Sequence, residues 1–586
     1  MPTLQQYVTD IVSAAFSAAG FDTSYGAVVF SERPDLSQFQ CNGALKAAKQ
    51  YGQSPRSIAE AVSVQLQQNT EILSNVQVDG PGFLNISLTD TAIAAQLNQY
   101  AQSEIVPQDQ NPQTVIVDFG GPNVAKPLHV GHLRSSIIGD SIQKLHRALG
   151  HTVYGDIHLG DWGTPMGILI AFIQREQPEL IYFDPTITDG YPAESPVSMA
   201  DLERLYPAGS TLLKEDAEFQ RAAQQATAEL QAGRPGYRAL WNHFITVSEV
   251  GLKDNFKSLG VEFDWWYGES HYHDRIDPLV EKLKSEGIAV ESKGALIIPL
   301  PEQNGTEIPP LILLKSDGAF LYSTTDLACV DERVHDNHAN QIIYVVDQRQ
   351  HLHFTQVFSA ARLAKLCPEN VPLIHAGFGT INGSDGKPFK TRAGGVMRLR
   401  DLITMVTEKA TERMVEAGMS QEYPEAEQKE IARKVGISAL KFADLINNRT
   451  SNYIFDLDRF VSFEGKTGPY LVYTAVRIQS ILRKLKVQPD TDFVMQAPTD
   501  VERGLMLTLS QLPDVVNATL EGLTPHTLAE YGFTLAQEFN RFYQQTSIIH
   551  EQDTQKQQGW LALSLFTLKQ LTWITEILGM EIPERM

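Results

Sequence analysis

The segment from Thr114 to His158 constrains the fold of this 586-residue chain more than any other. Thr114–Phe119 (TVIVDF) is apolar and β-branched, which is typical of a strand buried in a parallel sheet. Leu128–Leu149 has apolar residues at helical spacing, and Gly150 suits a left-handed end to that helix. Val153–His158 predicts a second strand. Strand, helix and strand in this order predict a Rossmann-like sheet.

The flanking sequence predicts three domains. Residues 1–110 predict a small α+β domain, and residues 401–586 predict an all-helical bundle. Residues 111–400 predict the Rossmann domain, with a helical insertion at about 165–310. Beyond the insertion, strands are predicted at Leu311–Leu314, Ala319–Tyr322, Gln341–Val346 and Val371–Phe378, with a helix at His353–Leu366. The expected fold is a multidomain α/β protein.

The net charge of −22 disfavours binding to nucleic acid, because the mean field repels phosphate. The acidic residues are unevenly spread, however, and none lies between Lys466 and Pro489. That stretch contains the basic residues Lys466, Arg477, Arg483, Lys484 and Lys486. It is either a local contact for phosphate or a solvated helix face.

Several features indicate a cytoplasmic protein. No stretch reaches the ~18 apolar residues that a membrane span needs. Met1–Gly20 has no basic residue before its apolar positions, which disfavours a secretory or transit peptide. The three cysteines are far apart and form no CxxC pair, so neither a disulfide framework nor a thiolate metal site is expected.

The strongest local signal is Pro122–His132 (PNVAKPLHVGH), which follows the first predicted strand and opens the predicted helix. His129 and His132 share one face of the helix start, and Gly131 between them lets a flat ring or a phosphate approach the backbone. The helix N-terminus adds free N–H groups and a positive dipole end. These features indicate a triphosphate site. The alternatives are a structural turn or a metal-binding histidine pair, although no third ligand stands at a diagnostic spacing.

A second signal is Gly386–Gly395 (GKPFKTRAGG), a basic loop after the last predicted strand of the sheet. It is not a Walker loop, because Pro388 breaks that pattern. Lys387, Lys390 and Arg392 could close over phosphates and neutralise charge on a leaving pyrophosphate. The alternative is an exposed charged loop.

These two signals belong to a set of motifs that resembles the arginyl-tRNA synthetases, a family of class I aminoacyl-tRNA synthetases. In chain order the motifs are PNVAKPLHVGHLRSS, GDWGTPMG, YSTTDLA, YVVDQRQHLHF, GKPFKTRAGG, FEGKTGPYLVY and GMEIPERM. They span essentially the whole chain. The resemblance implies a class I catalytic core, an N-terminal tRNA-binding domain and a helical anticodon-binding domain. It also implies a monomeric enzyme that ligates L-arginine to tRNA(Arg), with ATP as substrate and Mg²⁺ accompanying it.

The resemblance assigns individual residues to the nucleotide. His129, Gly131 and His132 would bind ATP. Lys126, just before the histidine pair, resembles a supplementary phosphate ligand, and Lys390 holds the second lysine position of the family's signature loop. Lys387 holds the first lysine position, and the division of work among the three lysines stays open.

The resemblance also assigns an arginine pocket. The matching positions are Asp118, Gly121, Asn123, His132, Tyr322, Asp326 and Gln350. Carboxylates satisfy a guanidinium best, so Asp118 and Asp326 are expected to hold the guanidinium and the α-amino group, in an order left open. Alternatively, Asp118 merely orders a turn and Asp326 caps a helix.

For tRNA, the resemblance points to two regions. Phe83 would stack on a base while Asn85 reads its edge, unless Phe83 is a core residue of a strand. Lys466, Arg477, Arg483 and Lys484 would belong to the anticodon-binding face. The family further implies that tRNA must be present for the first chemical step.

Three competing functions remain at this stage. The cysteine and glutamate enzymes of class I are alternatives, and the cysteine enzyme would need zinc-binding thiolates. A small-molecule nucleotidyltransferase could use the same histidine site but would not need so large a helical C-terminal region. A non-catalytic, synthetase-like RNA-binding paralogue is the alternative from a different functional class.

Overall fold

A computed structural model describes residues 3–31, 33, 36–303, 305–316, 318–383, 385–387, 389, 397–419, 422–488 and 490–586. The chain forms two compact units. One consists of Met1–Gln108, Thr411–Ile446 and Arg459–Met586, and the other of Asp109–Ala410 and Asn447–Asp458. Within the described residues, no helix has the length and apolar character that crossing a membrane requires.

The N-terminal part of the first unit is an antiparallel sheet with helices. Its elements are α1 (Leu4–Ala18), β1 (Val28–Phe30), β2 (Phe39–Cys41), α2 (Gly43–Tyr51), α3 (Pro55–Leu66), β3 (Leu73–Asp79), β4 (Phe83–Leu88) and α4 (Asp90–Ala101). The strand order is β1-β2-β4-β3. The α+β character predicted for this region is confirmed.

The second unit contains the predicted parallel sheet. Its elements are β5 (Thr114–Phe119), α5 (Val130–Ala148), β6 (Thr152–Asp156), α6 (Thr164–Glu176), α7 (Met199–Glu215), α8 (Ala217–Gln231), α9 (Pro235–Leu259), α10 (His273–Ser285), β7 (Val290–Ser292), β8 (Ala295–Ile298), β9 (Leu311–Leu314), α11 (Tyr322–His335), β10 (Gln341–Val345), α12 (His351–Leu363), β11 (Leu373–His375), β12 (Ile381–Asn382), β13 (Tyr453–Ile454) and α13 (Leu399–Glu416). The parallel order is β11-β10-β5-β6. Helix α5 crosses this sheet closely, because a Cβ at Gly139 would lie 2.2 Å from the Phe119 ring.

In the region after the predicted insertion, one predicted strand lies in a different sheet and another is absent. Leu311–Leu314 is a strand, but it pairs antiparallel with β8 in a separate sheet of order β7-β8-β9. Ala319–Tyr322 is not a strand, since Tyr322 opens helix α11. The hydroxyls of Ser323 and Thr324 donate to the carbonyls of Ile312 and Leu313 at 2.7 and 2.6 Å. The start of the helix therefore uses carbonyls of β9 that another strand would have needed.

The C-terminal part of the chain is helical, as predicted, except for the short strand β13, which pairs with β12. Its elements are α14 (Glu425–Leu445), α15 (Leu457–Phe460), α16 (Gly468–Leu485), α17 (Asp500–Leu509), α18 (Leu512–Gly522), α19 (Pro525–Gln545) and α20 (Thr554–Ile577). Helices α14 and α16 cross closely, because a Cβ at Gly468 would lie 2.1 Å from the carbonyl oxygen of Ser438. Within the same unit, the Tyr100 ring packs edge-on against Phe566 at 5.1 Å.

Candidate active site

The carboxyl edge of the parallel sheet gathers the first group of site residues. Asp118 is the second-to-last residue of β5, and it lies in register with Asp156 of β6 and Tyr344 of β10. Ligands of open α/β sheets bind at this edge, because loops diverge there and leave a crevice. The register therefore brings two carboxylates and a phenol to the place where a ligand is expected.

The loop after β5 leads from this edge to the histidine pair. Asn123 forms a parallel bridge with Gly160, whose N–H donates to the carbonyl of Pro122 at 3.0 Å. A Cβ at Gly160 would lie 2.3 Å from the Asn123 amide oxygen, so this position requires glycine. Gly121 is exposed and has a φ of +36°, a left-handed conformation that favours glycine. Two predicted pocket residues thus shape the backbone of the loop.

The histidine pair forms the N-terminal cap of helix α5. The His129 Nδ1 atom accepts the Gly131 N–H at 3.0 Å, and the His132 Nδ1 atom accepts the His129 N–H at 3.2 Å. The two ring centroids are 4.1 Å apart. A Cβ at Gly131 would lie 2.7 Å from the His129 ring, so glycine is required to keep that ring in place. Each imidazole is therefore fixed by its backbone.

The pair is uncharged near neutral pH. Burial lowers the pKa of His132 to about 3, assisted by the neighbouring His129. Burial and the positive charge of Lys126 lower the pKa of His129. Because each Nδ1 atom accepts an N–H, the proton of each neutral ring stands on Nε2. The pair can donate two hydrogen bonds to an oxyanion without adding positive charge.

The chain that follows the basic loop returns to the histidine pair. The Val130 N–H donates to the Met397 carbonyl at 3.0 Å, and the Leu399 N–H donates to the Leu128 carbonyl at 2.9 Å. His129 and Arg398 consequently form an antiparallel bridge. The histidine pair is therefore next to residues 397–399, which follow the basic loop in the chain.

The three predicted phosphate lysines are placed unequally. Lys126 lies three residues before His129, with its Nζ atom 4.6 Å from the centroid of the Tyr206 ring. Lys387 is exposed in a turn closed by a 2.8 Å bond from the Gly383 N–H to the Lys387 carbonyl. Lys390 lies outside the described residues.

The predicted arginine pocket contains a carboxylate on helix α11. Asp326 lies one turn inside the helix, which starts at Tyr322, so the alternative that it caps a helix start is wrong. The His353 Nε2 atom lies 2.6 Å from an Asp326 carboxylate oxygen, and these side chains are 13 % and 19 % exposed. Tyr322 is exposed, and its ring centroid is 4.7 Å from that of His353. Gln350 is exposed just beyond β10. His353 was quoted within a motif but was not predicted as a site residue.

Asp118 already has a cationic partner. The Arg333 Nη2 atom donates to Asp118 and to Asp156, at 2.6 Å in each case. Arg333 is only 1 % exposed, and Asp118 is 8 % exposed. Burial raises the pKa of Asp118, and the Arg333 charge opposes that rise. Sequence reasoning missed Arg333 and Asp156, although a carboxylate at the end of an apolar strand was a usable signal for Asp156.

The cluster around Asp118 has the spacing of a metal site, but its carboxylates already have a cationic partner. Among the described residues, Asp118, Asp156 and His158 form the one group whose ligand atoms lie within 4.8 Å of one another. Arg333 holds both carboxylates. Burial alone would lower the pKa of His158, but a hydrogen bond to Cys329 and the two carboxylates outweigh it and raise the pKa to about 10. Because Arg333 pairs with both carboxylates, the arrangement shown is an ion-pair cluster.

The predicted tRNA contacts in the first unit are partly engaged within the protein. Phe83 is half-buried. Asn85 is 5 % exposed, and its amide accepts from Gln40 at 3.0 Å and donates to Asp79 at 2.6 Å. The amide of Asn85 thus holds three strands of the antiparallel sheet together.

The predicted basic stretch also has internal partners. Lys466 pairs with Glu530 at 2.6 Å. Arg477 donates to Asn540, and Arg483 donates to the Glu584 carbonyl at 2.6 Å. Lys484 is exposed near the end of helix α16.

The fold and the site define a class I tRNA synthetase. The family model described as class I (R) tRNA synthetase catalytic domain matches residues 92–457, the arginyl tRNA synthetase N-terminal domain matches 3–88, and the DALR anticodon binding domain matches 471–586. The chain belongs to the arginyl-tRNA synthetase family.

Full-length similarities agree with this membership. The arginine–tRNA ligase of Alkaliphilus oremlandii is 47 % identical, and the alignment covers 100 % of both chains. The solved arginyl-tRNA synthetase of Plasmodium falciparum is 25 % identical, with a TM-score of 0.84 over 100 % of both chains. The Thermus thermophilus structure, at 21 % identity and a TM-score of 0.77 over 100 % of both chains, shows a shared fold. The predicted family and fold class are confirmed.

Proposed function

We propose that this chain is an arginine–tRNA ligase that acts through an arginyl-adenylate, with MgATP as a substrate. The arginine carboxylate attacks the α-phosphorus of ATP, and the bond to the bridging oxygen breaks to release pyrophosphate. A ribose hydroxyl of the terminal adenosine of tRNA(Arg) then attacks the carbonyl carbon, and AMP leaves. No protein nucleophile is needed, because positioning and charge stabilisation suffice.

One observation carries the proposal for the nucleotide site. The bridge between His129 and Arg398 joins the helix start to the segment that follows the basic loop in the chain. A phosphate bound at that helix start would receive backbone N–H groups and the two neutral imidazoles, with Lys126 nearby. We assign ATP to His129, Gly131 and His132. Lys126, Lys390 and Lys387 are proposed to neutralise the leaving pyrophosphate.

The arginine site is proposed on the other side of the crevice. Asp326 is the carboxylate that we assign to the guanidinium, with Tyr322 and Gln350 completing the pocket. Asp118 is already held by Arg333, so we assign its remaining capacity to the α-amino group. Gly121 and Asn123 are proposed to present the adjoining backbone, since both shape the loop after β5.

Two surfaces are proposed for tRNA. Phe83 is half-buried, so an exposed part of its ring could stack on a base. Because the Asn85 amide is committed inside the sheet, we propose that it shapes this surface rather than reading a base edge. Lys484 is exposed and is the most direct candidate for phosphate on helix α16, whereas Lys466, Arg477 and Arg483 would need to exchange partners.

The domain boundaries near residues 110 and 400, the insertion at about 165–310, a monomeric state and a cytoplasmic location also stay predictions. The non-catalytic paralogue is not favoured, because arginine–tRNA ligases match over the full length and the histidine pair is intact.

The proposed function is tested by ATP–pyrophosphate exchange with each standard amino acid, with and without total tRNA. We expect exchange with arginine alone, and only when tRNA is present. Exchange with glutamate or cysteine would favour another class I enzyme. Exchange without tRNA would remove the tRNA requirement but retain the ligase, while tRNA binding without any exchange would favour the non-catalytic paralogue.

A further inference from the structure

Helix α7 of the insertion contacts both segments of the nucleotide site. Its Tyr206 ring receives the Lys126 ammonium at 4.6 Å from the ring centroid. One turn earlier, a Glu203 carboxylate oxygen lies 2.9 Å from an Arg398 guanidinium nitrogen. Residues three apart share a helix face, so a single face of α7 meets Lys126, three residues before His129, and Arg398, three residues after the basic loop.

The helix is well placed to act as a fixed support. Its first turn is closed by a capping box between Ser198 and Asp201. Leu202 and Leu205 of the same helix are buried. A Cβ at Gly209 would lie 2.5 Å from Ile168 of α6, so the two helices are in close contact. Glu203 and Tyr206 therefore project from a packed element rather than from a loop.

The ring-held position of Lys126 is next to the histidine pair. Its positive charge lowers the pKa of His129 and of His132 from where it stands. A phosphate that contacts these imidazoles would therefore also be attracted by the Lys126 ammonium. Lys126 has several rotatable bonds, and a cation–π contact restricts them before substrate arrives.

We propose that helix α7 positions the two cationic flanks of the nucleotide site for adenylation, Tyr206 through Lys126 and Glu203 through Arg398. Tyr206 and Glu203 are positioning residues in this scheme, since neither is required to touch ATP. The proposal rests on the proposed function, because it needs a phosphate for Lys126 to bind. Arg398 is partly exposed, so its ion pair with Glu203 is expected to contribute less than the ring contact.

The test measures kcat and KM for arginine-dependent ATP–pyrophosphate exchange in the full chain with tRNA. Tyr206→Leu should lower kcat about fivefold, the scale of one cation–π contact, and leave KM for arginine unchanged. Tyr206→Phe keeps the ring and should stay within about twofold of the parent. Glu203→Gln should lower kcat by about twofold. Arg204→Gln is the matched control, because Arg204 lies on the same helix and pairs instead with Glu176.

A second background separates positioning from folding. In Lys126→Ala, Tyr206→Leu should cause no further loss, because the ring acts through the ammonium. An equal loss in both backgrounds, an equal loss in Tyr206→Phe, or a Lys126→Ala variant at the parent rate would each overturn the inference. If Tyr206→Leu does not fold, phenylalanines of increasing fluorination at this position should lower kcat progressively, and a flat series would overturn the inference. A parent enzyme without arginine-dependent exchange would instead reject the proposed function, and the inference with it.

Discussion

The proposed nucleotide end and the proposed arginine end of the site stabilise charge in opposite ways. At the nucleotide end, His129 and His132 are neutral rings fixed by backbone hydrogen bonds, and the Lys126 ammonium lies over the Tyr206 ring. At the arginine end, Asp118, Asp156 and Arg333 are buried ions fixed by one another. ATP brings its own charge and leaves as pyrophosphate and AMP, whereas arginine must be selected from among similar amino acids.

This difference has a physical reason. A neutral imidazole can donate a hydrogen bond to a phosphate whose charge changes during the reaction. When the phosphate leaves, the imidazole does not remain as an unpaired buried ion. A carboxylate buried in advance selects more strongly, because it becomes an unpaired ion whenever the wrong ligand enters. The protein limits that cost at Asp118 by supplying Arg333, and at Asp326 by supplying His353. Substitutions at the arginine end should therefore mainly affect arginine selection and stability, whereas substitutions at the nucleotide end should mainly affect the rate of exchange.

The largest expected effect is at Asp326. Asp326→Ala should lower arginine-dependent exchange by ~10⁴-fold, because the pocket would lose the carboxylate that pairs with the guanidinium. Binding of ATP should be retained, as measured by titration with a fluorescent ATP analogue. Asp326→Asn, which keeps the shape but not the charge, should also fail. Normal arginine affinity in Asp326→Ala would show that another carboxylate selects arginine, with Asp118 as the next candidate.

The next effect concerns the stability of the buried ions. Arg333→Met should lower the free energy of unfolding by about 3–5 kcal/mol, because it leaves Asp118 and Asp156 buried without the guanidinium that pairs with both. The shift can be followed by urea unfolding with tryptophan fluorescence. Adding Asp156→Asn to Arg333→Met should recover part of the loss, since one carboxylate charge is removed. Arg333→Met with the stability of the parent would show that this end does not depend on paired ions.

At the nucleotide end, single lysines should matter less. Lys390→Ala should slow exchange by ~10²-fold, the scale for losing one group that stabilises charge in the transition state. The exchange rates of Lys126→Ala and Lys387→Ala, measured alongside, would show how much each lysine contributes to charge stabilisation. An unchanged rate in Lys390→Ala together with a slow Lys126→Ala would transfer the main role to Lys126. Urea unfolding should be unaffected in all three, in contrast to Arg333→Met.

The sequence predicted the local elements of both ends but not their pairings. The β-branched run Thr114–Phe119 and the helical spacing after it were sufficient, because period and composition are local properties. The bridge between His129 and Arg398 spans about 270 residues, so no local pattern could reveal it, and only resemblance made it expected.

The features that the sequence did not predict also depend on contacts between distant parts of the chain. Arg333 lies in a helix where its spacing is unremarkable, and its role depends on strands far away in the chain. Ala319–Tyr322 was predicted as a strand because it is short and partly apolar. Instead, Tyr322 begins a helix whose next two residues, Ser323 and Thr324, donate hydroxyl hydrogen bonds to carbonyls of β9. These are tertiary contacts, which a local sequence pattern does not show.

The smallest expected effect is the pH response of the histidine pair. The folded pKa of His132 is about 3, below the ~6.5 of an unfolded chain. Between these values the unfolded state takes up a proton that the folded state does not. Stability should therefore fall as the pH drops below ~6.5 and be unaffected by His132 above it. His132→Asn, whose side-chain oxygen can still accept the His129 N–H, should lose this part of the response.

The direct measurement is ¹⁵N NMR of labelled histidines between pH 7 and 5, with His132→Asn to assign the resonance. The His132 nitrogens should keep the shifts of a neutral ring protonated at Nε2, because protonation at Nδ1 would break the bond from the His129 N–H. A His132 that titrates near pH 6.5 would make the nucleotide end cationic in the empty enzyme. The two ends would then share one strategy, fixed charges of opposite sign, and the lysines would be expected to contribute less than Lys390→Ala assumes.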